Sequence, residues 1–591
     1  MGLEIAKRAL AMSQLNLQVI AHNIANAGTE GYSRQRAELT ASPPLAYPCF
    51  TRPGFVQQLG TGVDIKAVNR IRDEFLDEII RLQTGVQGRN TTLQNVLNQI
   101  ELILNEPGET GLNTALDDFF AAWQDLANDP ELTSSRASLR EAAISLVKMI
   151  NNTESSLDRL AIEQITELKN NVTQINSLSR QIADLNIIIA QVKGLGDSPN
   201  DLMDQRDQLL EQMSAILPIS TIEQENGSIS VLVGGIRIIE DDKAETLEVY
   251  FNPNDPGNIK IRFKNKSELD IGTNGILGGL LESYNDVIPH FSEMLNTLTG
   301  ALVNRINYQH RKGFGLDGEK GRPFFEDFMT AEMAGTVKFP SGVTEDTPID
   351  ELGITAGDFT IQGQKITITS ADVAPGEAIT IGELLERINQ AQPFVRAILD
   401  YDFAGESFIH LELFNPVSAD TEISVFRGTS NFLAAMGLED AKNTFTDVAE
   451  TYSGAASMLD VSMVILENLD AVAAAGDDGS GMYPGPGNNS NALAIASLQS
   501  MYNAVNDTTF GDFYTSLTSE LGTMGQTTDR LASNQSVLLD QLSVQRESIR
   551  GVNLDEEATA MITYQRIYEG AARVTQVVDS LLDTLINRTG A

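Results

Sequence analysis

Alternating steps of three and four residues put Leu3, Ala6, Leu10, Ser13, Leu17, Ile20 and Ile24 on one stripe of a helix. The other end of the chain repeats the spacing with Met561, Tyr564, Tyr568, Ala571, Thr575, Val578, Leu582 and Leu585. A stripe this narrow cannot bury itself, and short isolated helices are marginal in water, so each end needs a partner. The partners available are the opposite end and neighbouring copies of the chain. A stripe at helical spacing is also what an ordinary core helix shows. Position at both termini, and a segment 554–587 that would extend about 50 Å at ~1.5 Å per residue, favour an assembly surface.

Between the ends the period changes more than once. Asn23, Asn26, Gly28 and Gly31 suit a helix stop followed by an extended arm. Pro43, Pro44, Pro48 and Pro53 prevent the helix from resuming there. Residues 72–216 read as helix, with Ile79, Leu82, Val96, Ile100, Leu102 and Leu104 spaced for a buried face and a long Leu/Ile repeat from Ser155 to Val192. Near 218 short alternating runs, 228–233 and 259–263, predict antiparallel strands. Helix returns over 275–311. Residues 330–440 predict an α+β insert, with strands at 359–361, 366–368 and 408–413 and a helix at 381–390. Helical text resumes near 453, breaks over 475–490 and runs to the end.

The expected fold class is mainly α with β-rich insertions, an elongated multidomain chain with paired terminal coiled-coil helices, a helical bundle and an outer α+β domain. The expected domains are 1–40 plus 553–591 for the terminal pair, 41–329 plus 441–552 for the bundle with its β-rich portion near 218–272, and 330–440 for the insert.

At 591 residues the chain exceeds what one core supports. Its net charge of −40 argues against binding nucleic acid or anionic lipid, both of which need clustered Lys and Arg. That charge sits in the interior; residues 1–40 carry +1 and 553–591 carry −3, as surfaces meant to pack would. One cysteine, Cys49, excludes an intramolecular disulfide framework. No run of about 18 apolar residues predicts membrane insertion. Glu4, Lys7 and Arg8 interrupt any N-terminal signal core, so export, if it occurs, uses a route without signal cleavage.

Catalytic chemistry finds little support. His22, His290, His310 and His410 form no metal-ligand spacing, and no nucleophile elbow or phosphate loop occurs, so no catalytic residue, metal or cofactor is expected. His410 reads as a strand-surface or core histidine. Gly313–Gly318 fits a dinucleotide pattern but lacks the preceding strand, and Asp477–Gly481 looks calcium-like but lacks its bidentate Glu, so both read as loops. Asp555, Glu556 and Glu557 follow Asn553, a cap residue, and fit the first turn of a terminal helix.

His22-Asn23-Ile24-Ala25-Asn26, with Thr29, Gly31, Tyr32 and Arg34, resembles the N-terminal motif of the axial family of bacterial flagellar proteins, the rod, hook and hook-associated subunits. The family pattern usually has a second Asn at His22 and another residue at Glu30. The run Gly551-Val552-Asn553-Leu554-Asp555-Glu556-Glu557, with Tyr564-Gln565 and Tyr568, is similar to its hook-associated members, and Gly315–Phe325 and Asn488–Leu493 add support. Phe359-Thr360-Ile361-Gln362-Gly363 and Ile388-Asn389 look like a module of flagellar surface domains. The resemblance implies a structural subunit in the junction ring between hook and filament, exported through the flagellum's own channel. Its implied partners are further copies of itself, hook protein, a second junction protein and an export chaperone. The implied assembly interface comprises Leu3, Leu10, Leu17, Ile20, Asn23, Ile24, Asn26, Gly31, Tyr32, Leu554, Asp555, Glu556, Met561, Tyr564, Gln565, Tyr568, Val578, Leu582 and Leu585. Another axial subunit, hook or distal rod, is the alternative; an adhesin or enzyme displayed by the insert is a third.

Overall fold

The computed structural model describes the chain apart from residues 1, 44–59, 105–110, 252–257, 265–267, 327–328, 340–342, 362–363, 377, 392–394, 402–405, 414–422, 440, 448–453, 477–481, 503, 506–507 and 585–591. Cys49, Pro44, Pro48, Pro53, the Asp477–Gly481 loop, Gln362-Gly363 and Leu585 therefore lie outside the described residues.

Helix α1 (Gly2–Ala25) ends where Asn26 and Thr29 turn the backbone, and Gly31 supplies the positive φ of +80° that the turn requires. The arm that follows is an antiparallel hairpin of β1 (Gln35–Ala41) and β2 (Val63–Arg70). Four helices come next: α2 (Glu74–Leu104), α3 (Leu112–Asn128), α4 (Thr133–Gly194) and α5 (Asn200–Ile216). At ~1.5 Å per residue the 62-residue α4 runs about 90 Å and sets the length of the molecule. Its Leu/Ile repeat feeds three cores in succession, Leu139 to Ile150 in the first, Leu157 and Leu160 in the second, Leu168 to Ile182 in the third.

The third core is closed by β structure. A meander of β3 (Ser220–Glu223), β4 (Ile229–Val233), β5 (Ile236–Glu240) and β6 (Lys243–Ala244) lies beside the hairpin β7 (Leu247–Phe251) and β8 (Ile259–Phe263). Helix α6 (Gly275–Glu282) passes through a π-helical turn, Ser283–Val287, into α7 (Ile288–His310). Glycine lets α6 and α5 approach α2: a Cβ on Gly279 of α6 would stand 2.9 Å from Thr92, and one on Gly88 of α2 would meet the Ala215 carbonyl of α5 at 2.5 Å.

The insert has its own core. Strand β9 (Met329–Ala334) opens it; β10 (Gly357–Ile361), β11 (Gln364–Ile368), helix α8 (Ile381–Ala391), β12 (Val395–Tyr401), β13 (Ser407–Leu413), β14 (Val425–Arg427) and α9 (Phe432–Ala435) follow. The four-stranded sheet runs β12-β13-β9-β15, with β15 at Asn443–Asp447, and the smaller one β11-β10-β14. The sheet thus runs past residue 440, because β9 pairs on both edges. Phe359 stacks on Phe432 at 4.6 Å in its centre.

Beyond the insert the helix expected from near 453 to 475 is reduced to short pieces. The described residues between 455 and 509 pack on the tip of the bundle in short pieces, α10 (Ala455–Met458), α11 (Met463–Glu467) and α12 (Ser490–Ser497). Ala473 and Ala475 are held extended instead: the Ala473 N–H donates to His310 Nε2 at 2.9 Å, the Asn491 amide donates to the Ala473 carbonyl, and Ala475 bridges Phe314. Regular helix resumes in α13 (Phe510–Arg550) and, after three residues, α14 (Leu554–Asp583). On α2 the buried face runs through Leu76, Ile80, Leu93, Val96, Leu97, Ile100 and Leu104. Leu82 and Leu102, expected inside, are exposed, since they fall off that face by helical phase. Gly313–Gly318 is a loop, as its context predicted. Its Gly313 and Phe314 backbones bond to His310 and Ala475.

Candidate assembly interface

Helices α1 and α14 pair antiparallel, Gly2 lying against Val578 at one end and Asn23 against Glu557 at the other. The face of α1 that is buried comprises Ala6, Met12, Ser13, Asn16, Ile20 and Asn23. It keeps Ala6, Ser13 and Ile20 of the stripe read in the sequence but turns toward Met12, Asn16 and Asn23: Leu10, Leu17 and Ile24 are half-buried on its flank, and Leu3 is exposed. The rotation has a physical reason. Ser13 Oγ donates to the Ala9 carbonyl and Asn16 Nδ2 to that of Met12, so these polar side chains are satisfied on their own helix and can be buried.

On α14 only Glu557 and Ala571 are buried. Met561, Tyr564, Thr575 and Val578 are half-buried toward α1, while Leu554, Asp555, Glu556, Gln565, Tyr568 and Leu582 are exposed. Ile562, Ile567, Val574, Val577 and Leu581 are exposed as well. The pair covers one side of each helix and leaves a long row of apolar positions exposed on α14.

The end of the pair is tied to the bundle by a buried polar joint. Asn23 Nδ2 donates to the Gln35 carbonyl (3.0 Å) and to Glu557 Oε2 (3.1 Å); its Oδ1 accepts from the Tyr32 hydroxyl (2.8 Å) and the Gln35 N–H (2.9 Å). Arg34 bridges Glu557 Oε1 at 2.6 Å and Glu556 Oε2 at 2.9 Å, and its own N–H donates to the Arg550 carbonyl at the end of α13. Burial, then the charges of Asp201, Asp204 and Glu557, push the Tyr32 phenol up, so it stays a donor to Asn23. Asn553 caps α14, accepting from the N–H groups of Asp555 and Glu556. Asn26 bonds back to the His22 carbonyl and Thr29, closing the turn before Gly31.

A second layer, which the sequence reading did not place, fastens this joint to α5. Asp204 accepts from the Ser33 N–H (3.0 Å) and from Arg70 (2.8 Å), Asp207 pairs with Arg72, and Asp201 accepts from Gln35 Nε2 at 2.8 Å. Asn200 donates to Gln35 Oε1 and to the Val68 carbonyl. The signal was present as three Asp at steps of three on one helix face, opposite two Arg at a step of two on a strand end. So Asn23, Tyr32, Glu556 and Glu557 meet in one place with Arg34. The half-buried apolar positions line the seam behind it.

Comparison with known proteins places this geometry. The flagellar hook-associated protein FlgK helical domain matches residues 97–325, the flagellar basal body rod FlgEFG protein C-terminal family 548–588, and the flagella basal body rod protein family 3–32. The chain is 28% identical to a Bacillus subtilis protein named flagellar hook-associated protein 1, over all of this chain and 98% of that one. It is 26% identical to the protein of the same name from Salmonella typhimurium, over 98% of each. The fold is shared with the flagellar hook junction protein FlgK from Burkholderia pseudomallei, at a TM-score of 0.55 and 16% identity over 80% of this chain and all of that one. With one family at the N-terminal stripe, one at the bundle and one at the C-terminal stripe, and full-length relatives bearing a single name, the chain is similar along its whole length to flagellar hook-associated protein 1.

Proposed function

We infer that this chain is a structural subunit of the bacterial flagellum, set at the junction of hook and filament. The observation that carries the reading is the α1–α14 pair, closed on one side and with a row of apolar positions exposed on α14, at the end of a long bundle in a chain similar throughout to hook-associated protein 1. The terminal segments, 1–40 and 553–591, act as the assembly domain. Copies of the chain stack side by side into a ring and cover Leu3, Leu554, Tyr568, Leu582 and the rest of the outer face, ordering entropy being offset by buried apolar area. Hook protein lies on one side of that ring and a second junction protein on the other. An export chaperone covers the apolar C-terminal face before assembly, and the chain travels through the flagellar channel without signal cleavage. The bundle, with α4 as its spine and α13 packed along α2, transmits torque from hook to filament. The insert around 330–440 projects a separate α+β surface.

Deletion of the gene in the native bacterium tests the reading. Complete hooks, no filaments and flagellin monomers in the medium are expected; normal filaments would overturn it.

A further inference from the structure

A π-helical turn in the middle of a torque-bearing bundle has a cause in the sequence. Pro289 has no N–H for the Asn285 carbonyl four residues back, and its ring crowds that carbonyl. The chain widens over Ser283–Val287, and the Ile288 N–H reaches the Ser283 carbonyl instead. Asn285 then grips the edge of β8, exchanging two hydrogen bonds with Ile259. Such turns occur frequently at functional positions.

Where α4 passes the start of α7, the bundle buries a carboxyl. Glu154 is 4% exposed. Its Oε1 accepts from Ser292 Oγ and, at 3.4 Å, from Asn296 Nδ2. Its Oε2 is buried and has no hydrogen-bond partner. Among the described residues no cation is paired with it. Helix α4 brings Asp158 one turn on, α7 brings Ser292 and Asn296, and the π turn brings Tyr284. Helix α10 supplies an N–H, that of Ala456, but gives it to Asn296 Oδ1 at 2.7 Å. His290 is exposed and faces Glu520 of α13 at 3.1 Å. Burial pushes the Glu154 carboxyl up to about 7, and the negative charge of Asp158 acts in the same direction against the two hydrogen bonds.

We propose that Glu154 and the adjoining π turn form a proton-controlled joint in the bundle, closed and dry while the carboxyl is neutral and locally opened to water once it ionises. An ionised carboxylate needs donors on both oxygens, and here one has none. The seam also has slack to give, since the π turn already departs from regular helix beside it. In the unfolded chain the group titrates near 4.5, in the folded chain near 7, so the folded state holds the extra proton between those values. Stability from this site is therefore lost as pH rises through that window and is constant above it.

The test is amide hydrogen exchange on the full chain, corrected for the intrinsic pH dependence of exchange, read over 150–160 and 283–296. Wild type is expected to open at least tenfold more at pH 8.5 than at pH 5.5, while Glu154→Gln shows no such change. Ser292→Ala removes a bond that favours the charged form, and should move the midpoint of opening to higher pH. Equal pH dependence in wild type and Glu154→Gln would overturn the proposal. So would a midpoint that Ser292→Ala leaves in place or lowers.

Discussion

Helices α3 and α14 carry the same sequence signal and meet opposite fates. In the 17 residues of α3, seven positions are buried, among them Phe119 and Trp123 with no exposure at all. In the 30 residues of α14 only two are. The difference lies in what the chain has left to put against each. Helix α3 meets α4, α7, the Phe324-Phe325 pair and the described residues between 455 and 509, which together complete a core. Helix α14 packs along α1, with Arg34 gripping its first turn, and its outer apolar positions face solvent. Periodicity announces a buried face; whether the chain or its neighbours will bury it depends on the number of elements available nearby.

The comparison predicts the largest loss where the core is complete. Trp123 packs against Phe324 at 5.2 Å, with His310 and Phe119 around it. Trp123→Ala should cost about 3–5 kcal/mol of bundle stability, read from the denaturant midpoint. A loss below about 1 kcal/mol would mean that this core is less closed than the geometry states.

Next in size is the joint that anchors the incomplete helix. Glu557→Ala leaves Arg34 and the Asn23 amide without their shared acceptor. Breaking a buried pair costs about 3–5 kcal/mol, and a quarter-exposed Arg34 lowers that toward about 2. The loss should appear as release of 554–583 to protease with the bundle midpoint unchanged. Simultaneous loss of both would join the two regions into one cooperative unit and erase the contrast.

A smaller, pH-dependent effect belongs again to the complete core. His310 is fully buried and neutral, with Nδ1 bonded to the Arg322 carbonyl at 2.8 Å and Nε2 accepting from Ala473. Burial lowers its pKa from 6.5 to about 4. Below 6.5 the unfolded chain takes up a proton that the folded chain refuses until about 4, so stability falls as pH drops through that range. At pH 5 the loss is about 2 kcal/mol. Thermal unfolding of His310→Gln at pH 5 and pH 7 should lack this component; an unchanged pH slope would show that His310 is not its source.

These contrasts also show which features were legible. The spine α4 was readable because its Leu/Ile repeat is long and unbroken. Asn553 was readable as a cap because the following acids fit the first turn. Only half of the buried face of α1 was readable, Ala6, Ser13 and Ile20, because Asn16 and Asn23 are polar and only their hydrogen bonds make burial possible. The Ala471–Ala475 run reads as helix former, yet its backbone is claimed by His310, Phe314 and Asn491, contacts distant in sequence. The layer of Asp201, Asp204 and Asp207 with Arg70 and Arg72 likewise exists only once β2 lies across α5.

The smallest effect on the isolated chain should come from the exposed face of α14, and it sharpens the comparison most. Val577 and Leu581 are 57% and 62% exposed, so alanine there removes little that the single chain has buried. Surface substitutions of this kind usually change stability by less than about 0.5 kcal/mol. A core position and an interface position differ in this respect: the first is felt in the monomer, the second only when copies meet. Val577→Ala with Leu581→Ala should therefore leave the unfolding midpoint of the purified chain in place, while cells carrying the pair swim poorly and shed filaments from intact hooks. Full motility with firmly held filaments would show that this face stays open to solvent in the assembled flagellum. A lowered midpoint in the monomer would show that it is already covered by the chain itself.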